Sequence, residues 1–110
     1  MYDTELTIKN ITYTNGETRT DGRYPLRIGS KVKLAYYLTN GACMLLDYIE
    51  DNQSNPKSGQ LRTSIVEDIK ETENEIIVTT RNSIYYFEKE KYHQITMDEY
   101  LESLEKSNRE

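Results

Sequence analysis

The feature that most constrains the fold is a set of short two-residue alternations separated by turn dipeptides. Val32, Leu34, Tyr36 and Leu38 alternate with Lys31, Lys33, Ala35 and Tyr37. A period of two places successive side chains on opposite faces of a strand. Thr39-Asn40-Gly41-Ala42 then supplies a hairpin turn, because Gly and Asn accept the positive φ that tight hairpins need. Cys43 to Glu50 is the return strand. Its run Cys43-Met44-Leu45-Leu46 is apolar on both faces, which predicts a central position. Ala42, Leu45, Leu46 and Ile49 also fit helical spacing, and strand is the reading adopted.

The same pattern recurs along the chain. Leu6 and Ile8 alternate with Thr7 and Lys9, and the phase then slips by one to Ile11 and Tyr13. A slip of one predicts a bulge or bend, since a regular strand holds its period. Asn15-Gly16 and Asp21-Gly22 are turn dipeptides, with polar Glu17 to Thr20 as a loop or edge between them. Residues 51–60 form the one long loop. Leu61, Thr63, Ile65 and Ile69 predict a strand with Val66 on its other face. Ile76, Val78 and Thr80 share a face in the next strand, opposite Ile77 and Thr79, and Ile84 to Glu88 returns after the turn at Asn82-Ser83. Successive short strands at this spacing read as an antiparallel meander.

Near the C-terminus the period changes. Thr96 and Glu99 match a capping box, and Met97, Tyr100, Leu101 and Leu104 follow at helical spacing, which predicts a helix over 97–107. The expected fold class is therefore mainly β, α+β: five or six antiparallel strands in a curled sheet or small open barrel, plus one C-terminal helix. Its 110 residues are one domain's worth of chain, with a β-rich body over about 4–88.

Composition narrows the function classes. No apolar run approaches the roughly 18 residues of a membrane span. The first residues lack the basic-then-apolar order of a signal peptide, so a soluble cytoplasmic protein is expected. One Cys, Cys43, excludes an internal disulfide and a Cys-based zinc site and reads as a small buried hydrophobe. His93 is the single histidine and lies in a charged linker, where solvated surface is the better reading. Asp47, Glu50 and Asp51 are the nearest thing to a carboxylate pair, and they flank a loop. The five glycines are isolated, so no phosphate-binding loop is present. No enzyme and no cofactor are expected.

Charge is unevenly divided. Residues 1–40 carry six basic and four acidic side chains, and residues 41–110 carry eight and fifteen. Arg19, Arg23, Arg27, Lys31 and Lys33, with Tyr24, Tyr36 and Tyr37 nearby, are the candidate nucleic-acid surface of a small barrel. The acidic remainder argues against it. Glu67, Asp68, Glu71, Glu73 and Glu75 form an acidic cluster, and Asp98, Glu99, Glu102 and Glu105 an acidic helix face. These could meet a basic partner surface, or be solvated turn and helix. Tyr is the most unusual component, with ten residues in 110. Adjacent pairs Tyr36-Tyr37 and Tyr85-Tyr86 must point to opposite faces, so one of each leaves the core. Tyr37 and Tyr85 are the candidate partner-binding members, since outward Tyr is favoured at protein interfaces. A second small buried cluster is the competing reading.

Two segments, Leu61-Arg62-Thr63-Ser64-Ile65-Val66-Glu67-Asp68-Ile69 and Val78-Thr79-Thr80-Arg81-Asn82-Ser83-Ile84-Tyr85-Tyr86-Phe87, resemble a signature of small phage and mobile-element proteins. There a Thr-Ser strand pairs with a Thr-x-Asn-Ser-x-Tyr hairpin. The matching residues suit strand and turn hydrogen bonding and carry over no activity. The resemblance implies a context: small acidic phage proteins of this kind block a host protein, as anti-CRISPR proteins do. The expectation is a non-enzymatic protein-binding module in the bacterial cytoplasm, an inhibitor of a host defence nuclease. A nucleic-acid-binding small barrel and a phage assembly subunit are the alternatives.

Overall fold

A computed structural model describes residues 5–90. Six antiparallel strands close into a barrel in sequence order: β1 Leu6–Thr12, β2 Lys31–Leu34, β3 Cys43–Glu50, β4 Gln60–Glu71, β5 Glu75–Thr80 and β6 Ile84–Lys89. β1 pairs with β6 as well as with β2, which removes both free edges. The expected mainly antiparallel body is thus present, but fully closed where a curled sheet or small open barrel was expected. The helix expected over 97–107 lies outside the described residues, as do His93, Asp98, Glu99, Glu102 and Glu105. The helix that is described is one turn, α1 Tyr24–Arg27, between β1 and β2. Pro25 sits in its first turn, where a missing N–H costs nothing.

Alternation fills the interior. Leu6, Ile8, Ile11, Val32, Met44, Leu46, Leu61, Val66, Ile76, Val78, Tyr85 and Phe87 form one buried core. The phase slip read at Lys9-Asn10 is a register shift of β1 against β6 between Ile8 and Asn10, so Leu6, Ile8 and Ile11 all point inward. Ile76, Val78 and Thr80 face inward as their spacing required.

Three strand expectations are corrected. β2 stops at Leu34 instead of Leu38, and Tyr36 and Tyr37 leave the sheet 71% and 66% exposed. In β4 the inward side chains are Leu61, Thr63 and Val66, while Ile65 is only partly buried. β4 changes partner there, pairing with β3 up to Ile65 and with β5 from Val66, with a register shift in each ladder. The Thr63 hydroxyl accepts from the Met44 N–H at 3.0 Å and donates to the Ser64 carbonyl at 2.8 Å, so a side chain stands in where the ladder breaks. In β3 only Met44 and Leu46 enter the core, while Cys43 and Leu45 face outward and are partly exposed. Every strand of a closed barrel is central, so an apolar outer face need not be buried.

A meander sends alternate connections to opposite ends. The β1–β2, β3–β4 and β5–β6 connections share one end; the β2–β3 and β4–β5 connections share the other with Glu5 and Glu90.

Candidate functional site

The first end is built from Arg and Tyr. Between β1 and β2 the chain turns at Asn15-Gly16, where the Asn15 side chain accepts from the Glu17 N–H, and comes back beside β1. That return delivers Arg19 across the barrel end. Its Nε and Nη2 grip both oxygens of Asp21 at 3.0 and 2.7 Å. Its Nη1 donates to the Asn82 carbonyl at 3.1 Å and to Ser83 Oγ at 2.7 Å. The guanidinium lies 3.9 Å from the Tyr24 ring centroid and 4.8 Å from that of Tyr13. One side chain therefore ties the β1–β2 connection to the β5–β6 turn. The Arg19 hydrogen bond holds the Asp21 carboxyl at about 2, and Asp21 in turn raises Arg19.

One turn later in the chain, Arg23 and Arg27 emerge four residues apart from α1, on one helix face. Arg27 lies 5.0 Å from the Tyr24 ring centroid. From the β3–β4 loop, Lys57 stands 4.1 Å over the ring of Tyr48. Arg23, Arg27 and Lys57 face one another across a cleft of about 400 Å³, with Tyr48 and Leu61 in its wall. Burial raises the Tyr48 phenol and neighbouring Arg27 pulls it back. The β3–β4 loop is set by Asp51, whose carboxylate accepts from the N–H groups of Gln53 and Asn55. Those bonds lower its pKa. Gly29, with φ +94°, lets the two loops meet closely at Asn52.

The candidate nucleic-acid set is thus divided. Arg19, Arg23 and Arg27 converge at this end, but Arg19 is committed to Asp21. Lys31 pairs with Glu90 at 3.0 Å and Glu5 at 3.7 Å, and the Glu90 hydrogen bond raises it. Lys33 points outward from β2 and is exposed. The sequence reading missed Lys57 and Tyr48: they lie far from Arg23 in the chain, and only the loop fold joins them. The carboxylates Asp47, Glu50 and Asp51 form no pair. Asp47 accepts from Gln60 Nε2, Asp51 caps its loop, and Glu50 faces Lys31 across the β2–β3 ladder. Among the described residues no group of three or more His, Cys, Asp or Glu could hold a metal, and no helix is long and apolar enough to cross a membrane.

The other end has the opposite character. Tyr36 and Tyr37 meet edge to face, with ring centroids 6.5 Å apart. With Ala42, Cys43 and Leu45 they line a shallow apolar groove of about 590 Å³. Backbone bonds between Gly41 or Ala42 and Val66 set this groove against β4 just before Glu67 and Asp68. Glu67, Asp68, Glu73 and Glu75 are exposed, with no ion pair among the described residues. Glu71 differs, because Lys89 binds it at 2.6 Å. Tyr37 is an outward tyrosine as expected. Tyr85 is not: it is 2% exposed, stacks on Phe87 at 6.1 Å and belongs to the core, so Tyr86 is the outward member of that pair.

Together these features define a small closed antiparallel barrel with a basic, aromatic end and an acidic, tyrosine-bearing end. Comparisons with known protein families, with curated proteins and with solved structures give no match.

Proposed function

We propose that the chain is a non-enzymatic protein-binding module that docks through its tyrosine-bearing end. The observation that carries this reading is the Tyr36-Tyr37 pair, exposed on a groove whose other walls are Ala42, Cys43 and Leu45 with Thr39 beside them. Leaving two aromatic rings and an apolar strand face in water forgoes about 25 cal/mol for every Å² not covered. Aromatic groups of this kind supply a disproportionate share of interface energy. The neighbouring carboxylates Glu67, Asp68, Glu73 and Glu75 suit a basic partner and would speed its approach. In the context that the phage-like segments suggest, the partner is a host defence nuclease and the action is to cover a functional surface.

The test is DNA cleavage by a panel of purified bacterial defence nucleases, with the protein added in increasing amounts. At least one nuclease should lose activity with saturable dependence on the protein. The double variant Tyr36→Ser/Tyr37→Ser should restore cleavage while the chain keeps its folded circular dichroism spectrum at the assay temperature. Inhibition unchanged by that variant would remove the tyrosine groove from the reading. Cleavage unaffected across the panel would remove the nuclease.

A further inference from the structure

We propose that the cleft between α1 and the β3–β4 loop binds a compact polyphosphate ligand, of nucleoside diphosphate size. Among the described residues, three of the four partly buried cations have a carboxylate partner, and Arg27 is the exception. Arg19 has Asp21, Lys31 has Glu90, and Lys89 has Glu71. Arg23, Arg27 and Lys57 are brought to one cleft, and none has a carboxylate within 4 Å among the described residues. Asp51, the acid that feels Lys57, already accepts the N–H groups of Gln53 and Asn55. Three like charges around one small volume repel one another, and a multiply charged anion relieves that repulsion.

The chemistry of the donors points to phosphate. Arg offers a planar fork that matches phosphoryl oxygens, and Lys a point charge. The Arg27 guanidinium is held against the Tyr24 ring and beside the Tyr48 hydroxyl, so little freedom is lost on binding. Leu26, 67% exposed, and Tyr48 give the uncharged part of a ligand an apolar wall. A cleft of about 400 Å³ lies in the range of small-molecule sites. The same size, and a chain of net charge −5 with carboxylates at the far end, argue against a long nucleic acid.

The test is isothermal titration calorimetry of the full chain with pyrophosphate, ADP and octathymidylate, at low and high salt. ADP and pyrophosphate should bind with Kd on the order of 10–100 µM at low salt. Arg23→Gln and Lys57→Gln, both at exposed positions, should each weaken binding by roughly tenfold while the chain keeps its folded circular dichroism spectrum at the assay temperature. Absence of heat with both phosphates, or affinity indifferent to the two variants, would overturn the proposal. Octathymidylate binding more tightly than ADP would also overturn it, in favour of single-stranded nucleic acid.

Discussion

Arg19→Ala tests how the basic end is held together. The substitution removes the hydrogen bonds to the Asn82 carbonyl and Ser83 Oγ, at 3.1 and 2.7 Å, and the cation stacked 3.9 Å from the Tyr24 ring. Each hydrogen bond contributes about 1 kcal/mol net. The stacked cation adds about 0.5–1 kcal/mol. The Asp21 pair is left out of the sum because the Asp21 side chain is 49% exposed, and solvent screens such a pair. The expected loss is about 2–3 kcal/mol. For a domain of this size that corresponds to a fall in Tm on the order of 10–20 °C. Thermal unfolding followed by circular dichroism at neutral pH measures it. Arg19→Lys should recover only a small part, because an ammonium cannot span Asp21, Asn82 and Ser83 at once. The pH dependence supplies a second readout. Asp21 titrates near 2 in the folded chain against 3.8 for a free side chain, so its contribution is present above about pH 4 and fades as pH falls towards 2. In Arg19→Ala that acid-side slope should flatten. A Tm within about 2 °C of the parent, or an unchanged acid slope, would refute the reasoning.

Other perturbations bear on different parts of the barrel. Thr80→Val keeps the shape but deprives the buried Ser83 N–H of its acceptor at 3.1 Å, and should cost about 1–3 kcal/mol by urea unfolding. Gly29→Ala forces a side chain into φ +94° with its Cβ 3.2 Å from that of Asn52. It should lower the urea midpoint by the equivalent of more than about 1 kcal/mol, where Gly16→Ala meets no neighbour and carries only the backbone strain. Tyr85 is pushed up to about 12 by burial, so folding keeps its proton while an unfolded tyrosine loses it near 10. Stability should therefore fall as pH rises from 10 towards 12, and Tyr85→Phe should reduce that fall, as followed by phenolate absorbance during unfolding.

Much of the barrel could be read directly from periodicity, and the places where the reading failed share a cause. The bounds of β3 follow from the turn at Asn40-Gly41 and the loop over 51–60 that bracket it, and the inward set Ile76, Val78 and Thr80 follows from strict alternation within one strand. The slip at Lys9-Asn10 was visible because apolar residues mark both sides of it. The slip in β4 was not, because Ile65 is apolar and looks inward in a continuous register. Only the change of ladder partner, with the Thr63 hydroxyl bridging it, turns Val66 in instead. Tyr36 and Tyr37 continue the alternation of β2 in sequence, yet lie outside it in space because pairing with β3 ends. For Tyr85 and Tyr86 the sequence requires opposite faces but cannot name which is inside. Phe87, two residues on and fully buried, decides it. The basic cleft was half legible: Arg23 and Arg27 belong to the basic cluster of residues 19–33, whereas Lys57 and Tyr48 join it only through the β3–β4 loop.

Closure of the barrel also bears on the timing of folding. Among the described strands, all pairings but one join neighbours along the chain. The exception is β1 with β6, whose partners Leu6 and Lys89 are more than eighty positions apart. β1 meets β2 at only two ladder positions, Leu6 with Val32 and Thr7 with Lys31, so most of its pairing waits for β6. The first of the six barrel strands in chain order is thus among the last to be completed, and until then it presents Leu6, Ile8 and Ile11 along an open border. Long-range closure of this kind slows folding. Hydrogen exchange during refolding should find the hairpins β2–β3 and β5–β6 protected before β1, and the interval between them is when the chain is most exposed to mispairing with a second copy of itself.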